Sequence, residues 1–429
     1  DITTAFLQAQ EFTDGIDRYV YYQPYKGAEK EYFKYVGPVY GSRSSPALFY
    51  ATLRDWLVQE GYTQGLNDPC LFTKDGHVVV TWVDDIITRG SEAQTNDFYK
   101  RLNARFDVKD PNYLTPNSPL VFIGMQVSCR DGEGGRLYTI DQNSILDSCF
   151  DEWGESYCPA VQCPMPCTRV LYSDSTTVSE ERAARYRSVV GALNYFAVTT
   201  RYDIALAVSK LSQFSSRPTV SADRALTRVI HYLMNNPEFY LESKDGESAR
   251  NGVDKVECYS DSAYAGDRPH QVRSQTGVVV VLNGAPVYWC SRKQVQGTSY
   301  SSAMSAIYAL SEAVRCVRLV AFVCDEMGAT ITVPLCVKVD NKQAKTFKEG
   351  TCMSSKIRGV IDMRDAWVRE LRDDKGVDVK YVPAAGQKAD VLTKGLPNYK
   401  FRLGIKLLRG SAHERHMLEV VSVAHGRCE

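Results

Sequence analysis

Two adjacent aspartates, Asp84 and Asp85, close the apolar run Val78-Val79-Val80-Thr81-Trp82-Val83. Adjacent ionised carboxylates repel each other, and a strand tip that keeps two of them usually has a cation to hold. Asp1 opens the chain in the string Asp1-Ile2-Thr3-Thr4-Ala5-Phe6-Leu7. Carboxylate oxygens of this kind suit Mg²⁺, and a shared carboxylate can bridge two ions in phosphoryl or nucleotidyl transfer. A second group is Cys149, Cys158, Cys163 and Cys167, with Pro159, Pro164 and Pro166 interleaved. It reads as a structural zinc site or as a proline-rich linker with incidental thiols; the lack of a paired Cys-x-x-Cys favours the linker.

The elements that must position these groups can be read from periodicity. Ser45 to Leu57 carries Phe49, Leu53, Trp56 and Leu57 at helical spacing, with Pro46 suited to a first turn. Asp75-Gly76 between Cys70-Leu71-Phe72 and the Val78 run predicts a hairpin, with Asp84 at the end of its second strand. Phe98, Leu102 and Phe106 mark a following helix. Leu120 to Met125 reads as a buried strand. Three helices are predicted next: one capped by Ser179 with Tyr186, Val189, Val190 and Leu193 on one face, one carrying Ile204, Val208 and Leu211, and one carrying Leu226, Val229, Tyr232 and Leu233. Strands are predicted over Val256–Ser260, Val278–Leu282, Val287–Trp289, Leu335–Val339 and Val377–Val382, with a helix bearing Ile307, Leu310, Ala313 and Val314 among them.

The 429 residues suffice for two to four domains with real cores. No apolar run is long enough to span a bilayer, and no signal-peptide pattern opens the chain. The first residue is not Met, which points to a fragment, a processed product or a trimmed chain. Lys plus Arg equals Asp plus Glu, at 51 each. Proteins that track a duplex along its phosphates usually carry a basic excess. Overall neutrality leaves room for a local basic groove but argues against a chain that grips nucleic acid alone. Thirteen cysteines, an odd number and mostly scattered, fit reduced thiols in an intracellular compartment.

The ordered set of strings resembles the reverse transcriptase and RNase H region of copia-type long-terminal-repeat retrotransposon Pol polyproteins. Asp1 to Leu7 is similar to the family's first palm motif, and Tyr40-Gly41-Ser42-Arg43-Ser44-Ser45-Pro46-Ala47-Leu48-Phe49-Tyr50 to its second. Trp82-Val83-Asp84-Asp85 resembles its third, with Trp82 where Tyr is usual. Tyr186 to Tyr195 and Arg201-Tyr202-Asp203-Ile204-Ala205 resemble the stretch joining polymerase to RNase H. Tyr259 to Asp267, Val339-Asp340-Asn341 and Ala389-Asp390-Val391-Leu392-Thr393-Lys394 resemble the RNase H domain. The fold implied is a multidomain α+β and α/β chain. It would hold a palm without fingers over 1–115, a helical thumb or connection-like region over 116–245, an RNase H-like domain over 246–395, and a tail over 396–429 that is either extended for partner binding or mobile.

For the palm, the resemblance implies Asp1 and Asp84 as ligands of two Mg²⁺ ions, Asp85 as support, Phe6 as a gate against a ribose 2′-hydroxyl, and Ser44-Ser45-Pro46 packed near the incoming base pair. Fingers, which supply the basic side chains that hold the triphosphate, would have to come from elsewhere. For the nuclease, it implies four carboxylates on two metals, and Asp261, Asp340 and Asp390 fall at three of those positions. The fourth should come from the family string Ser-Ser-Thr-Glu-Ala-Glu-Tyr. This chain has Ser301-Ser302-Ala303-Met304-Ser305-Ala306-Ile307, so Met304 and Ala306 replace both glutamates. Glu312 lies nearly two turns on and faces elsewhere at about 100° per residue. Val360 and Ala366 stand where the family has His.

An incomplete metal shell predicts a defective RNase H. The expected function is then a domesticated, largely non-catalytic scaffold or binding subunit, working with other protein subunits and with RNA or an RNA–DNA duplex. The rival expectation is an active RNA-directed DNA polymerase using Mg²⁺ at the palm. A third, weaker one is a nucleic-acid-binding module without catalysis.

Overall fold

The computed structural model describes residues 1–13, 16, 18–132, 135–153, 159–244, 252–267, 272–295, 299, 301–349, 367, 370 and 376–409. The chain forms two compact units. The first comprises Asp1–Leu114, Leu120–Ile123 and Val323–Gly328; the second comprises Thr115–Pro119, Gly124–Phe322 and Ala329–Glu429.

In the first unit a four-stranded antiparallel sheet runs in the order Thr63–Gln64, Leu71–Lys74, His77–Trp82, Asp85–Arg89. Its hairpin turns on Asp75 and Gly76, both at positive φ (48° and 79°), the geometry a two-residue Asp-Gly turn supplies. The helix Ser45–Gln59 buries Phe49, Leu53, Trp56 and Leu57, and Glu92–Arg105 buries Phe98 and Leu102. These share a core with Phe72, Val79 and Phe106. Ser91 and Gln94 close the second helix's N-terminus with a capping box. A separate antiparallel ribbon pairs Arg18–Tyr22 with Glu31–Tyr35; its short alternating aromatics gave no clear period in the sequence.

In the second unit a five-stranded sheet has the order Ala285–Lys293, Gln275–Leu282, Val256–Ala263, Leu335–Val339, Val377–Tyr381. The first three strands are antiparallel, and the last two add in parallel. Alternation divides the sheet's side chains between two cores. Cys258, Val278 and Val280 join the core of the 25-residue helix Ser302–Glu326. Tyr259, Val279, Val281 and Trp289 join the core of the helices Glu180–Thr199, Ala205–Leu211 and Val220–Met234. Trp289 Nε1 donates to the Ala197 carbonyl at 2.7 Å. Residues on both sides of position 245 therefore share one core, because each sheet face must be covered to bury its apolar row.

Three expectations need correction. Leu120 to Met125 is not one buried strand: Ile123 and Gly124 take positive φ (50° and 68°), and Val121 is exposed. Strands run over Leu120–Phe122 and Met125–Gly132 instead, the latter pairing with Gly135–Asp141, which pairs with Leu241–Lys244. The prolines after Pro159 do not make a solvated linker, since Val161, Cys163 and Met165 are buried in the helical core. The segment after 396 begins with a helix, Asn398–Leu408, whose Phe401, Ile405 and Leu408 enter the same core. The i, i+4, i+7 spacing of these three was legible, but the basic residues between them obscured it. Among the described residues no helix is long and apolar enough to cross a membrane.

Candidate metal-binding pocket and other candidate sites

Asp261 lies on the central strand Val256–Ala263 and is 6% exposed. Asp340 follows the last residue of the neighbouring strand Leu335–Val339, so parallel pairing brings the two together. Asn341 then caps the helix Lys342–Glu349, its Oδ1 accepting from the Gln343 and Ala344 amides at 2.9 and 3.1 Å. Asp390 sits in the short 3₁₀ turn Lys388–Leu392. That turn is pinned by Gln387, which donates to the Ser260 carbonyl at 3.0 Å and accepts from the Ala389 amide at 3.2 Å.

Gly277 makes this approach feasible. It pairs directly with Asp261 across the sheet. A Cβ there would stand 2.6 Å from Thr393 Cγ2, 2.9 Å from Leu392 Cβ and 3.0 Å from the Ala389 carbonyl oxygen. A lone Gly in an apolar strand run was the sequence signal for this close approach.

Asp261, Asp340 and Asp390 each offer a carboxylate oxygen, and these lie within 4.8 Å of one another. Lys394 fills part of the gap between two of them, its Nζ 2.7 Å from Asp390 Oδ1 and 3.1 Å from Asp261 Oδ2. The Thr393 hydroxyl also donates to Asp261 Oδ2. Burial first, and the Asp261 charge second, push Asp390 up to about 6 despite the lysine; the same two causes raise Asp340. Lys394 rises because the two carboxylates outweigh its own desolvation.

The donor set fits one hard divalent ion, with three oxygens and room for waters. It fits two ions poorly. Ala306 has only a methyl group and packs at the edge of the core under the sheet, and Met304 is buried. Glu312 pairs with Arg292 at 3.3 Å and Arg315 at 2.8 Å. Val360 and Ala366 lie outside the described residues.

At the other aspartates, the backbone joins what the sequence separates. The Ile2 amide donates to the Asp84 carbonyl at 2.9 Å, and Ile2 bridges to Val108. Val83 and Asp84 form the two-residue turn between paired Trp82 and Asp85, with β-branched Val83 at φ 55°, an uncommon and strained position. The carboxylates themselves have separate surroundings. Asp1 Oδ2 is held by Lys109 Nζ at 2.6 Å, and Asp84 is exposed on the turn. Among the described residues, Asp1, Asp84 and Asp85 form no cluster of ligand atoms like that at Asp261. Phe6 packs against Tyr40 and Phe49, at centroid distances of 4.9 and 6.3 Å, and Ser45 Oγ donates to the Val39 carbonyl at 2.7 Å.

The cysteine group is also not a metal centre among the described residues. Cys149, Cys163 and Cys167 do not converge, and Cys158 lies outside the described residues. Burial pushes the Cys163 thiol up to about 11, and its Sγ is 3.5 Å from the Leu396 carbonyl, so it packs as a neutral thiol.

The Arg201-Tyr202-Asp203 string has a structural use. Arg201 and Asp203 are both 2% exposed and form a two-pronged ion pair at 3.0 and 2.8 Å. Tyr232 donates to Asp203 at 2.9 Å, and Arg201 also donates to the Asn236 carbonyl at 3.2 Å.

No protein-family model matches the chain. It is 28% identical over 412 residues to the retrovirus-related Pol polyprotein from transposon RE1 of Arabidopsis thaliana, covering 94% of this chain and 26% of that one. It is 27% identical over 419 residues to the polyprotein from transposon RE2 of the same plant, covering 94% and 27%. The chain thus spans about a quarter of the length of the relatives it matches. Among solved structures, it is similar to LC11-RNase H1 in complex with RNA/DNA hybrid, at 14% identity and a TM-score of 0.25, over 32% of this chain and 93% of that one. Aligned over nearly its whole length, this chain is similar to a part of the copia-type retrovirus-related Pol polyproteins.

Proposed function

We propose that this region is a catalytically incomplete member of its family: a nucleic-acid-binding module whose RNase H-like pocket takes one divalent ion and does not cleave RNA. One observation carries the reading. Three carboxylates converge, two of them paired with a lysine ammonium, and position 306, where the resemblance implies a fourth, carries a methyl group. A two-ion hydrolysis needs ligands on both sides of the scissile phosphate. With three oxygens and a competing cation, the pocket keeps an ion-binding role but lacks the second ion's cage.

If an ion binds, Asp261, Asp340 and Asp390 would hold it, and it would supply charge for a phosphate oxygen. The chain's own groups do the rest. Lys394 neutralises the pair Asp261 and Asp390, Thr393 fixes one Asp261 oxygen, and Gln387 locks the turn against the strand. The test is cleavage of a labelled RNA–DNA hybrid by the full chain with Mg²⁺ or Mn²⁺. No cleavage is expected from the native chain, and measurable cleavage from Ala306→Glu. Native cleavage that disappears in Asp261→Asn would overturn the reading.

A second reading, active nucleotidyl transfer at Asp1 and Asp84, is favoured by the 2.9 Å backbone bond that brings Ile2 beside Asp84. Mg²⁺-dependent primer extension that vanishes in Asp84→Asn would establish it; no extension by the native chain would exclude it.

A further inference from the structure

A cavity of about 400 Å³ in the second unit lies against the helix Asn398–Leu408 and shares no lining residue with the carboxylate pocket. Its charged lining is Arg402, Lys406 and Arg409, and no carboxylate lines it. In a chain with equal numbers of acids and bases, that is a local excess of positive charge. Arg402 and Lys406 are one turn apart, a like-charge spacing that costs an isolated helix a few tenths of a kcal/mol. Both are exposed, and neither has an ion-pair partner among the described residues. The helix dipole accounts for cations in the last turn but not for Arg402 near the first.

Arg409 is held in place from behind. Its guanidinium lies over the Phe239 ring at 4.9 Å and the Tyr240 ring at 5.6 Å, and its Nε is buried without a well-formed hydrogen bond. A guanidinium fixed by stacking, its Nε turned inward beside Tyr202, keeps its terminal N–H groups for a phosphate. Gln162 and Asn235 add side-chain amides to the rim. The volume lies in the range of small-ligand sites and exceeds what a bare phosphate needs.

From this geometry we infer that the cavity binds a phosphate group carried by a nucleotide, either free or within a single strand, through Arg402, Lys406 and Arg409. The inference does not rest on the reading of the carboxylate pocket.

The experiment measures fluorescence anisotropy of a 5′-labelled single-stranded oligonucleotide with the full chain. The native chain is compared with Arg402→Glu/Lys406→Glu and with a control double reversal, Lys26→Glu/Lys30→Glu, on the exposed ribbon. Thermal melts verify that each variant folds. The expected result is at least a tenfold loss of affinity in the cavity variant, a salt dependence of binding shallower by about two, and near-native binding in the control. Competition assigns the source: displacement by an unlabelled mononucleotide supports a free-nucleotide site, and displacement only by an unlabelled strand supports a phosphodiester site. Equal affinity in the native and cavity variants, equal loss in the control, or displacement by neither competitor would overturn the inference.

Discussion

Replacing Lys394 by Met asks whether an internal ammonium stands where a metal ion would. Its Nζ lies 2.7 Å from Asp390 Oδ1 and 3.1 Å from Asp261 Oδ2. Two unit charges about 3 Å apart attract by about 5–6 kcal/mol at an effective dielectric of about 20. The lysine side chain is 39% exposed, so solvent screens much of this. A hydrogen bond to a charged group nets about 1.5–3 kcal/mol. At 1.4 kcal/mol per decade, a divalent ion freed of that competitor should bind about ten- to a hundredfold more tightly. The assay is Mn²⁺ titration of the native chain and Lys394→Met by electron paramagnetic resonance, with a thermal melt to show that both fold. Unchanged or weaker Mn²⁺ binding in the folded variant would refute the reasoning. The pocket's pH behaviour offers a second readout. Asp390 sits at about 6, above the roughly 3.9 of an unfolded Asp, so the folded chain holds the extra proton between those values. Stability of the ion-free protein should fall as pH rises through that window, by up to about 3 kcal/mol. Saturating Mn²⁺ should replace the proton and reverse the fall.

Three further outcomes are expected. Gly277→Ala should drive the turn bearing Asp390 off the sheet, costing about 1–3 kcal/mol by overpacking and abolishing Mn²⁺ binding; urea melts and the same titration measure both. Asp203→Ala should cost about 3–5 kcal/mol, because Arg201 is left buried and charged, while the double change Arg201→Met/Asp203→Leu should cost less than that single change in denaturant titrations. Buried His77, its Nδ1 2.7 Å from the Tyr62 hydroxyl, has its pKa lowered by burial, so the unfolded chain takes up the proton first. The first unit should lose stability as pH drops below about 6.5, and His77→Phe should flatten that dependence in melts at successive pH values.

Much of the fold was legible because local signals agreed with the tertiary answer. Asp75-Gly76 demanded a hairpin, Ser179 capped its helix (accepting from the Arg182 amide at 3.3 Å), and Val278–Leu282 was a continuous apolar run buried on both faces, while Leu335–Val339 and Val377–Val379 showed buried residues at every second position. What escaped was set by packing. Met125–Arg130 does alternate, with Met125, Val127 and Cys129 against Gln126, Ser128 and Arg130, and was readable as a strand; Gly135–Asp141 has no such period and is placed by its pairing. The segment around Cys163 looked like a linker because proline forbids regular structure, yet nothing stops an irregular chain from being buried when its apolar side chains face a core. The carboxylate triad was legible as separate strings. Its lysine partner, Lys394, carries no such signal, because a Lys four residues after an Asp is ordinary on any surface.

On the proposed reading, the motif residues show how a site could lose its chemistry and keep its appearance. Asp261 and Asp390 are tied to Lys394, Asn341 caps a helix, Gly277 admits the turn, and Arg201 and Asp203 neutralise each other in the core. Each therefore has a partner within the folded chain, and removing it costs stability whether or not anything is catalysed. On the same reading, a glutamate at position 306 would add negative charge to the pocket, offset in part by Lys394 and more fully by a metal ion. Its replacement by alanine costs the fold nothing and can stabilise the ion-free form. On that reading, recognisable strings argue for the architecture, and the chemistry turns on position 306. On this reasoning Ala306→Glu should lower the melting temperature of the ion-free protein and raise that of the Mn²⁺-loaded one. A rise in both would mean that position 306 already has a protein partner and that the pocket's deficit lies elsewhere.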